Sequence, residues 1–246
     1  MKLTVLGSSS SGNCYLLHNE EECLVIEAGI PLKKVKKVLD FDISSIVGVL
    51  VSHEHGDHAK YCKEYLDMGI GVYASLGTYE ALKREPLNYF MVLNCNNSIQ
   101  LREFKIKPFA VEHDAAEPLG FLISHREIGT LAFVTDTYYV KYRFPGVNHI
   151  LVECNYSKDI LDHSYETGHI HKSLRNRTMK SHFELQNCKE FLKQNDSHHL
   201  KNVVLLHLSD RNSDARRFQE ECKSVTNKPT YIAEPGLTVN LDLVPF

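Results

Sequence analysis

The segment "HEHGDH", residues 53–58, is the densest group of potential metal ligands in the chain, and it directly follows an apolar run. His53 and His55 are two residues apart in extended backbone, so their side chains can face the same way and share a metal ion. Gly56 permits a sharp turn, which would place Asp57 and His58 beside them but directed at a neighbouring position. The loop therefore offers two ligand pairs, as a dinuclear metal centre requires, whereas a solvated polar loop explains this concentration poorly.

Three further candidates each end an apolar run elsewhere in the chain: His113, Asp136 and His207. They are needed because zinc and manganese take about four to six ligands, more than one loop supplies. Side chains at the strand ends of an open α/β sheet can project from one rim. A single strand-end histidine is most simply a surface residue, but these three residues together with the loop complete a set of metal ligands.

The elements that must position these residues are short β-type runs that alternate with helical patterns. The predicted strands are "KLTVLG", "CYLLH", "CLVIEAG", "SIVGVLVSH", "GIGVYAS", "FKIKPFAVEH", "GFLISH", "LAFVTD", "HILVECN", "NVVLLHLS" and a last pair in "TYIAEPGLTVNLDLV". The predicted helices are "PLKKVKKVL", "AKYCKEYLDM", "GTYEALKRE", "ELQNCKEFLKQN" and "SDARRFQEECKSV". Because the strands are apolar on both faces, the pattern indicates an α/β protein with covered sheets. The segment 164–182 has the weakest periodicity and is predicted to be a mobile loop.

Length and composition favour one domain spanning residues 1–246, since 43% of the residues are hydrophobic. A formal charge of −3 gives no overall attraction for nucleic acid, so any phosphate-binding surface would have to be local. The seven cysteines include no C-x-x-C pair, which indicates a reducing compartment rather than a disulfide framework or a zinc knuckle. With no signal peptide and no apolar run near the roughly twenty residues of a membrane span, we expect a soluble, cytoplasmic protein without membrane association.

The ordered ligand set described above resembles the metallo-β-lactamase fold, and the likeness runs over essentially the whole chain. Within that superfamily the closer likeness is to the YycJ/WalJ-type hydrolases, and two segments are also similar to RNase Z. The likeness rests on the segments "LGSSSSGN", "HDAAEPLGF", "VECNY", "SHFELQNCKEFL" and "LLHLSDRN". It implies an αββα sandwich of two mixed β-sheets flanked by helices. The interval from Asp136 to His207 is too short for the large inserted cap domain of the long nucleases of this superfamily.

The resemblance also implies a role for each ligand. Two sets of three residues would each hold one divalent metal ion: His53, His55 and His113 for the first ion, and Asp57, His58 and His207 for the second. Asp136 would bridge the ions, which would be Zn²⁺ or Mn²⁺ and would generate a hydroxide between them. Asp57 and His182 would be the catalytic residues, since His182 matches a histidine proposed to protonate the leaving oxygen.

Other residues leave two interpretations open. His182 is either that acid or a surface histidine at a helix start, and Glu153 either supports a histidine of the site or is an exposed strand-end carboxylate. The segment from His169 to His182 has no acidic residue and carries four cations: Lys172, Arg175, Arg177 and Lys180. These cations either guide a phosphate backbone or form a solvated basic loop. Glu27 stands where the family usually has an aspartate. Because its side chain is one methylene longer, we expect the support of the metal loop, rather than catalysis, to differ from the family pattern.

The function that follows is a dinuclear-metal-dependent phosphodiesterase, in particular an exonuclease-like nuclease that hydrolyses DNA or RNA. Nucleic acid would then be its partner, and the sequence carries no signal for an oligomeric state. A phosphodiesterase for a small or cyclic nucleotide is the first alternative, because the same centre would serve and the net charge does not favour a polymer. A regulatory or accessory protein with a structural metal site is the second.

Overall fold

Strands and short helices alternate along residues 1–82 and 88–244, which the computed structural model describes. The strands are β1 (Lys2–Gly7), β2 (Cys14–His18), β3 (Cys23–Ile26), β4 (Ile46–Leu50), β5 (Val72–Ser75), β6 (Phe90–Leu93), β7 (Ile99–Leu101), β8 (Phe104–Ala110), β9 (Leu119–His125), β10 (Gly129–Val134), β11 (His149–Glu153), β12 (Asn202–Leu206), β13 (Thr230–Ile232) and β14 (Thr238–Asn240). The helices are α1 (Leu32–Val38), α2 (Gly56–Ala59), α3 (Cys62–Leu66), α4 (Leu76–Leu82), α5 (Lys158–Glu166), α6 (Lys172–Ser181), α7 (Leu185–Asn195) and α8 (Ala215–Thr226), with a 3₁₀ turn at Ile43–Ser45. The expectation of an α/β protein is confirmed.

The described strands form two mixed sheets of seven strands each. The first sheet has the order β14-β1-β2-β3-β4-β5-β6 and the second the order β13-β12-β11-β10-β9-β8-β7. Pairing is antiparallel from β14 to β3 and from β7 to β9. It is parallel from β3 to β6 and from β10 to β13. The loop "HEHGDH" follows β4, and Asp136 and His207 follow β10 and β12, so these candidate ligands all come after strands of the parallel parts.

The chain divides into two compact units, and the first comprises Met1–Ala110, Ala115–Gly129 and the residues from Glu234 on. In this unit every residue of β3 is buried, and β4 runs parallel to it. Val25, Val49 and Val72, from three neighbouring strands, share one apolar core with Tyr65 of α3. This core holds the backbone in place at the point where β4 leads into the loop at residues 53–58.

The second unit comprises Val111–Asp114 and Thr130–Ala233. Here β10, β11 and β12 are parallel, with Val134 opposite Val152 and Glu153 opposite Leu206. All five residues of β11 are buried, as expected for a strand covered on both faces. This register brings the carboxyl ends of the three strands level with one another, so the residues that follow them lie at one edge.

The expectation of a mobile loop at 164–182 is wrong, because this segment contains the end of α5 and all of α6. Only Thr178 and Ser181 of α6 are buried, so the helix shows no apolar stripe in the sequence. Both hydroxyls donate to the carbonyl oxygen four residues earlier, at 3.0 and 2.8 Å. Arg175 additionally ties α6 to α5 through Asp162 at 2.6 Å. The ion pair and the packing of Met179 against Tyr156, Leu161 and Ile170 thus hold a helix that hydrophobic periodicity does not reveal.

Smaller differences concern the ends of the other predicted helices. The helix expected over residues 59–68 is divided, since α2 ends at Ala59 and α3 begins at Cys62. The helix expected over residues 77–85 is present as α4 up to Leu82, and residues 83–85 lie outside the described part of the chain. Across residues 1–82 and 88–244, no helix combines the length and the apolar character needed to cross a membrane.

Candidate metal centre

The loop half-site, which we define as His53, His55, Asp57 and His58, lies in the first unit. The His53 ring centroid is 4.6 Å from that of His55 and 4.2 Å from that of His58, so three imidazoles form one cluster. His55 precedes the first residue of α2 in an extended conformation, with φ −58° and ψ 147°. The turn at Gly56 then starts this short helix and brings His58 back beside His53, as the spacing predicts.

Hydrogen bonds from neighbouring segments hold this loop in shape. The backbone N–H of Asn13 donates to the carbonyl oxygen of Asp57 and that of Ala28 to the carbonyl oxygen of His58, both at 2.7 Å. The Asn13 side-chain amide also lies 3.1 Å from Nε2 of His58 and 3.3 Å from Oδ2 of Asp57. A Cβ atom at Gly29 would collide with the Asp57 carbonyl oxygen, so only glycine permits this close approach of the two chains. The contacts of Asn13 were not foreseen from the sequence.

Two buried groups orient the histidines of the loop half-site. Glu27 is fully buried, its carboxylate accepts from the backbone N–H of Ser52 at 3.3 Å, and its Oε2 lies 3.4 Å from Nδ1 of His58. The Ser52 hydroxyl lies 2.9 Å from Nδ1 of His53. Glu27 therefore reaches the metal loop despite the extra methylene, and it does so from a left-handed backbone conformation with φ 68°. Partners at Nδ1 are the usual means of orienting a histidine ligand.

The strand-end half-site, which we define as His113, Asp136 and His207, lies in the second unit. Asp136 stands between the two histidines, with its carboxylate oxygens 3.1 Å from Nδ1 of His207 and 3.7 Å from Nε2 of His113. Both Asp136 (φ 32°) and His207 (φ 50°) have left-handed backbone conformations, two residues after the end of β10 and one residue after the end of β12. The structure thus brings together the three strand-end residues that the sequence singles out.

The ring of His113 is fixed in the tautomer that a metal ligand requires. Its Nδ1 donates to the carbonyl oxygen of Ser181 at 2.6 Å, which leaves Nε2 with a lone pair facing Asp136. Burial lowers the pKa of His113, although the charges of Asp136 and Glu153 act in the opposite direction. The ring is therefore neutral near pH 7, the protonation state in which histidine binds metals.

The buried carboxylate of Glu153 accepts four hydrogen bonds within the second unit. One carboxylate oxygen accepts from Nδ1 of His182 at 2.6 Å and from Nδ1 of His207 at 3.3 Å. The other accepts from the backbone N–H groups of Thr137 and Phe183, each at 3.0 Å. Burial alone would raise the pKa of Glu153, but the charge of His182 and these hydrogen bonds lower it. The alternative of an exposed strand-end carboxylate is wrong.

His182 follows the last residue of α6, and its side chain is 19% exposed, so it is not a surface histidine at a helix start. Its ring centroid lies 5.4 Å from that of His113 and 5.6 Å from that of His207. Burial lowers its pKa, but the charge and hydrogen bond of Glu153 outweigh this effect and raise it above the ordinary value. With Nδ1 occupied by Glu153, the remaining ring nitrogen, Nε2, is the one that can carry a proton to a substrate.

The chemistry of the donors fits a divalent cation such as zinc or manganese. Imidazole nitrogens and carboxylate oxygens are ligands that both metals take, and here they are largely buried and oriented by hydrogen bonds. In the second unit Asp136 and His207 lie close to each other, while the neighbouring Glu153 and His182 are hydrogen-bonded to one another. The chain therefore has a histidine and aspartate cluster that can hold a metal ion.

The four cations of the basic segment have different surroundings in α6. Arg175 donates to Asp162 of α5 at 2.7 Å and lies 5.9 Å from the ring centroid of Tyr165. Arg177 is 59% exposed and donates through Nε to Asp114 at 2.8 Å, the residue after the candidate ligand His113. Lys172 and Lys180 are exposed. A solvated basic loop is therefore not an accurate description of this segment.

Comparison with known proteins identifies the family. Residues 30–193 match the family model described as "Beta-lactamase superfamily domain". The chain is 30% identical over 176 residues to "Exodeoxyribonuclease YycJ" of Bacillus anthracis, an alignment that covers 65% of each protein. It is 25% identical over 231 residues to "Exodeoxyribonuclease WalJ" of Streptococcus pneumoniae serotype 2, covering 86% of this chain and 83% of the relative.

Solved structures agree with this assignment at the level of the fold. The metallo-β-lactamase fold protein YhfI of Bacillus subtilis superposes with a TM-score of 0.73 at 15% identity, over 97% of this chain and 99% of that one. The short form of human tRNase Z superposes with a TM-score of 0.66 at 16% identity, over 99% and 100%. Two mixed seven-stranded sheets with helices are also the arrangement that the resemblance implies. The chain therefore belongs to the β-lactamase superfamily, has the metallo-β-lactamase fold and is a hydrolase.

Proposed function

We propose that this protein is a metal-dependent nuclease that hydrolyses phosphodiester bonds of DNA or RNA, acting as an exonuclease. The observation that carries the proposal is the pair formed by His182 and the buried Glu153, which lies beside Asp136 and His207. Cleavage of a phosphodiester produces an alkoxide that needs a proton, and a partly exposed histidine held by a carboxylate can donate one. The names of the two relatives with 30% and 25% identity, both exodeoxyribonucleases, support the same reaction.

The proposed metal assignment uses the two half-sites together, for two ions that are Zn²⁺ or Mn²⁺. One ion would be held by His53, His55 and His113, and the other by Asp57, His58 and His207, with Asp136 contributing to both. When bound, such ions supply an activated water and offset charge on the phosphate. The donor types and the hydrogen bonds at Nδ1 of His53, His113 and His207 support this assignment, and the order of ligands in the chain is that of the family resemblance.

The orientation of the histidines and the transfer of a proton are assigned to side chains of the protein. Glu153 keeps His182 and His207 in fixed orientations through their Nδ1 atoms. His182 holds a proton on Nε2 and gives it to the departing oxygen of the substrate. Asp57, one side-chain oxygen of which lies 3.3 Å from Nε2 of His58, is proposed as the second catalytic residue, the role that the family resemblance implies for it.

A polynucleotide as substrate is supported by the exposed cations of α6. Arg177 donates to Asp114, the residue next to His113, and Lys180 lies one helical turn further along the same face. Positive side chains at this spacing suit successive phosphates of a strand. We also propose that residues 1–246 act as one catalytic domain without a large cap and that the protein works in the cytoplasm, both of which stay predictions.

A phosphodiesterase for a small or cyclic nucleotide is the second candidate. It is favoured by one observation: Asp162 and Asp114 offset the charges of Arg175 and Arg177, so α6 attracts a polymer less than its sequence suggests. A third possibility, a regulatory or accessory role, predicts no turnover at all.

One experiment separates these functions. The purified chain is incubated with Mn²⁺ or Zn²⁺ and end-labelled single- and double-stranded DNA and RNA, beside bis-p-nitrophenyl phosphate. We expect progressive shortening of at least one polymer together with release of p-nitrophenol. Release of p-nitrophenol without any shortening of a polymer would reject the nuclease and favour the small phosphodiesterase. Inactivity on every substrate with both metals would favour the accessory role.

A further inference from the structure

Three cysteines meet in the interior of the second unit, far from one another in sequence. The Cys triad, which we define as Cys154, Cys188 and Cys222, comes from the residue after β11, from α7 and from α8. All three side chains are fully buried, and their sulfur atoms lie within 4.8 Å of one another. The cluster could not be recognised from a C-x-x-C spacing, because each cysteine lies on a different element.

The backbone of each element is fixed, so the three sulfurs are held in place. Cys154 continues the β11–β12 pairing by donating its backbone N–H to the carbonyl oxygen of Leu206 at 3.0 Å. Helices α7 and α8 are joined by an ion pair between Lys189 and Glu221 at 2.7 Å. Each of these two residues stands next to a cysteine of the triad in sequence. A site whose ligands are already positioned loses little conformational entropy when it binds a cation.

The sulfurs also influence the charge of one another. Hydrogen bonds from Cys154 and Cys188 lower the pKa of Cys222 to about 5, in spite of its burial, whereas burial raises the pKa of Cys154 well above its ordinary value. The three sulfur atoms are therefore close enough to interact directly, as ligands of one ion must be.

The number and type of the ligands select the kind of cation. Among the described residues, no histidine, carboxylate or fourth cysteine joins this group of three. Zinc in structural sites takes four ligands in tetrahedral geometry, whereas thiolates alone suit soft cations such as Cu⁺, which accepts low coordination numbers. We propose that the Cys triad is a binding site for a soft monovalent cation of the Cu⁺ class, separate from the site of hydrolysis.

The test uses the reduced full-length chain, first saturated with Mn²⁺ so that the hydrolytic site is occupied. Cu⁺ is then titrated under anaerobic conditions in competition with a chromogenic Cu⁺ chelator. We expect one Cu⁺ per chain and an ultraviolet absorption band from sulfur-to-copper charge transfer. Cys222→Ser and Cys188→Ser should each weaken Cu⁺ binding at least tenfold. Cys23→Ser, at a fully buried cysteine of the first unit, is the matched control and should leave binding unchanged.

Two results of the titration would overturn the proposal. The first is a failure of the wild-type chain to compete for Cu⁺, and the second is an equal loss of binding in Cys222→Ser and Cys23→Ser. If the triad variants do not fold, X-ray absorption at the copper edge of the wild-type complex decides the matter. Coordination by sulfur alone supports the triad, and coordination by nitrogen or oxygen alone rejects it. None of these measurements depends on hydrolysis, so they are independent of the proposed nuclease activity.

Discussion

Replacement of Glu153 by glutamine changes one buried group at the centre of the second unit. The carboxylate accepts backbone N–H groups on one oxygen and the Nδ1 atoms of His182 and His207 on the other. In Glu153→Gln only one oxygen remains, and we expect it to stay with the two backbone donors. The amide NH₂ group then faces both rings. His182 must offer a lone pair at Nδ1 and carry its proton on Nε2, whereas His207 keeps Oδ1 of Asp136, 3.1 Å from its Nδ1, as an acceptor.

The size of the effect follows from the bonds that are lost. A hydrogen bond to a charged group contributes about 1.5–3 kcal/mol, and the bond from His182 is short at 2.6 Å. Loss of a carboxylate that orients a metal ligand typically reduces metal affinity or activity about 10–100-fold, which corresponds to about 1.4–2.7 kcal/mol. We therefore expect metal affinity to fall by about this factor and turnover at saturating metal to fall at least as far, because His182 also loses its anionic partner.

Three measurements check this prediction: metal affinity by chelator competition, turnover of bis-p-nitrophenyl phosphate, and thermal unfolding by circular dichroism. Glu190→Gln, at an exposed position of α7, is the control and should match the wild type in all three. Unchanged metal affinity and turnover in Glu153→Gln would refute the claim that this carboxylate orients the histidines. A large fall in melting temperature alone would instead assign Glu153 to the stability of the fold.

Three further outcomes are expected. His182→Ala should lower turnover of the small ester about 10²–10⁴-fold with full metal content, and a loss of metal would contradict its role as the acid. Arg177→Ala should reduce the slope of the salt dependence of single-stranded DNA binding by about one, without affecting turnover of the small ester. Arg175→Ala removes the ion pair with Asp162 and should instead lower the melting temperature. Removal of metal by a chelator should lower the melting temperature reversibly. The loss of stability is about 2.7 kcal/mol if the ion is normally present at a hundred times its Kd. An unchanged melting temperature would show that the buried ligands bind no metal ion.

The strand ends could be predicted from the sequence because the signals are local. The runs before Asp136 and His207 are apolar without interruption, and a parallel sheet aligns the residues that follow such runs. The loop at residues 53–58 was recognisable for a similar reason, since two ligand spacings and a glycine occur within six residues. In these places the pattern of a few neighbouring residues decides both the secondary structure and the chemistry.

Other features depend on contacts between distant segments and could not be predicted. Helix α6 is held by the ion pair of Arg175 with Asp162 and by the packing of Met179 against an apolar cluster, and neither contact gives its sequence an apolar period. The four donors to Glu153 come from three separate segments, and nothing in "VECNY" distinguishes this carboxylate from an exposed one. The meeting of Cys154, Cys188 and Cys222 depends on how α7 and α8 pack, which the spacing of the cysteines does not encode.

The left-handed conformations of Glu27, Asp136 and His207 have a consequence for the stability of the protein. An ordinary residue in such a conformation costs the fold on the order of 1–3 kcal/mol, and glycine or asparagine would relieve most of that cost. Each of these side chains is thus held at a cost in stability, and replacing it by glycine is expected to relax the backbone while removing a group of the candidate site.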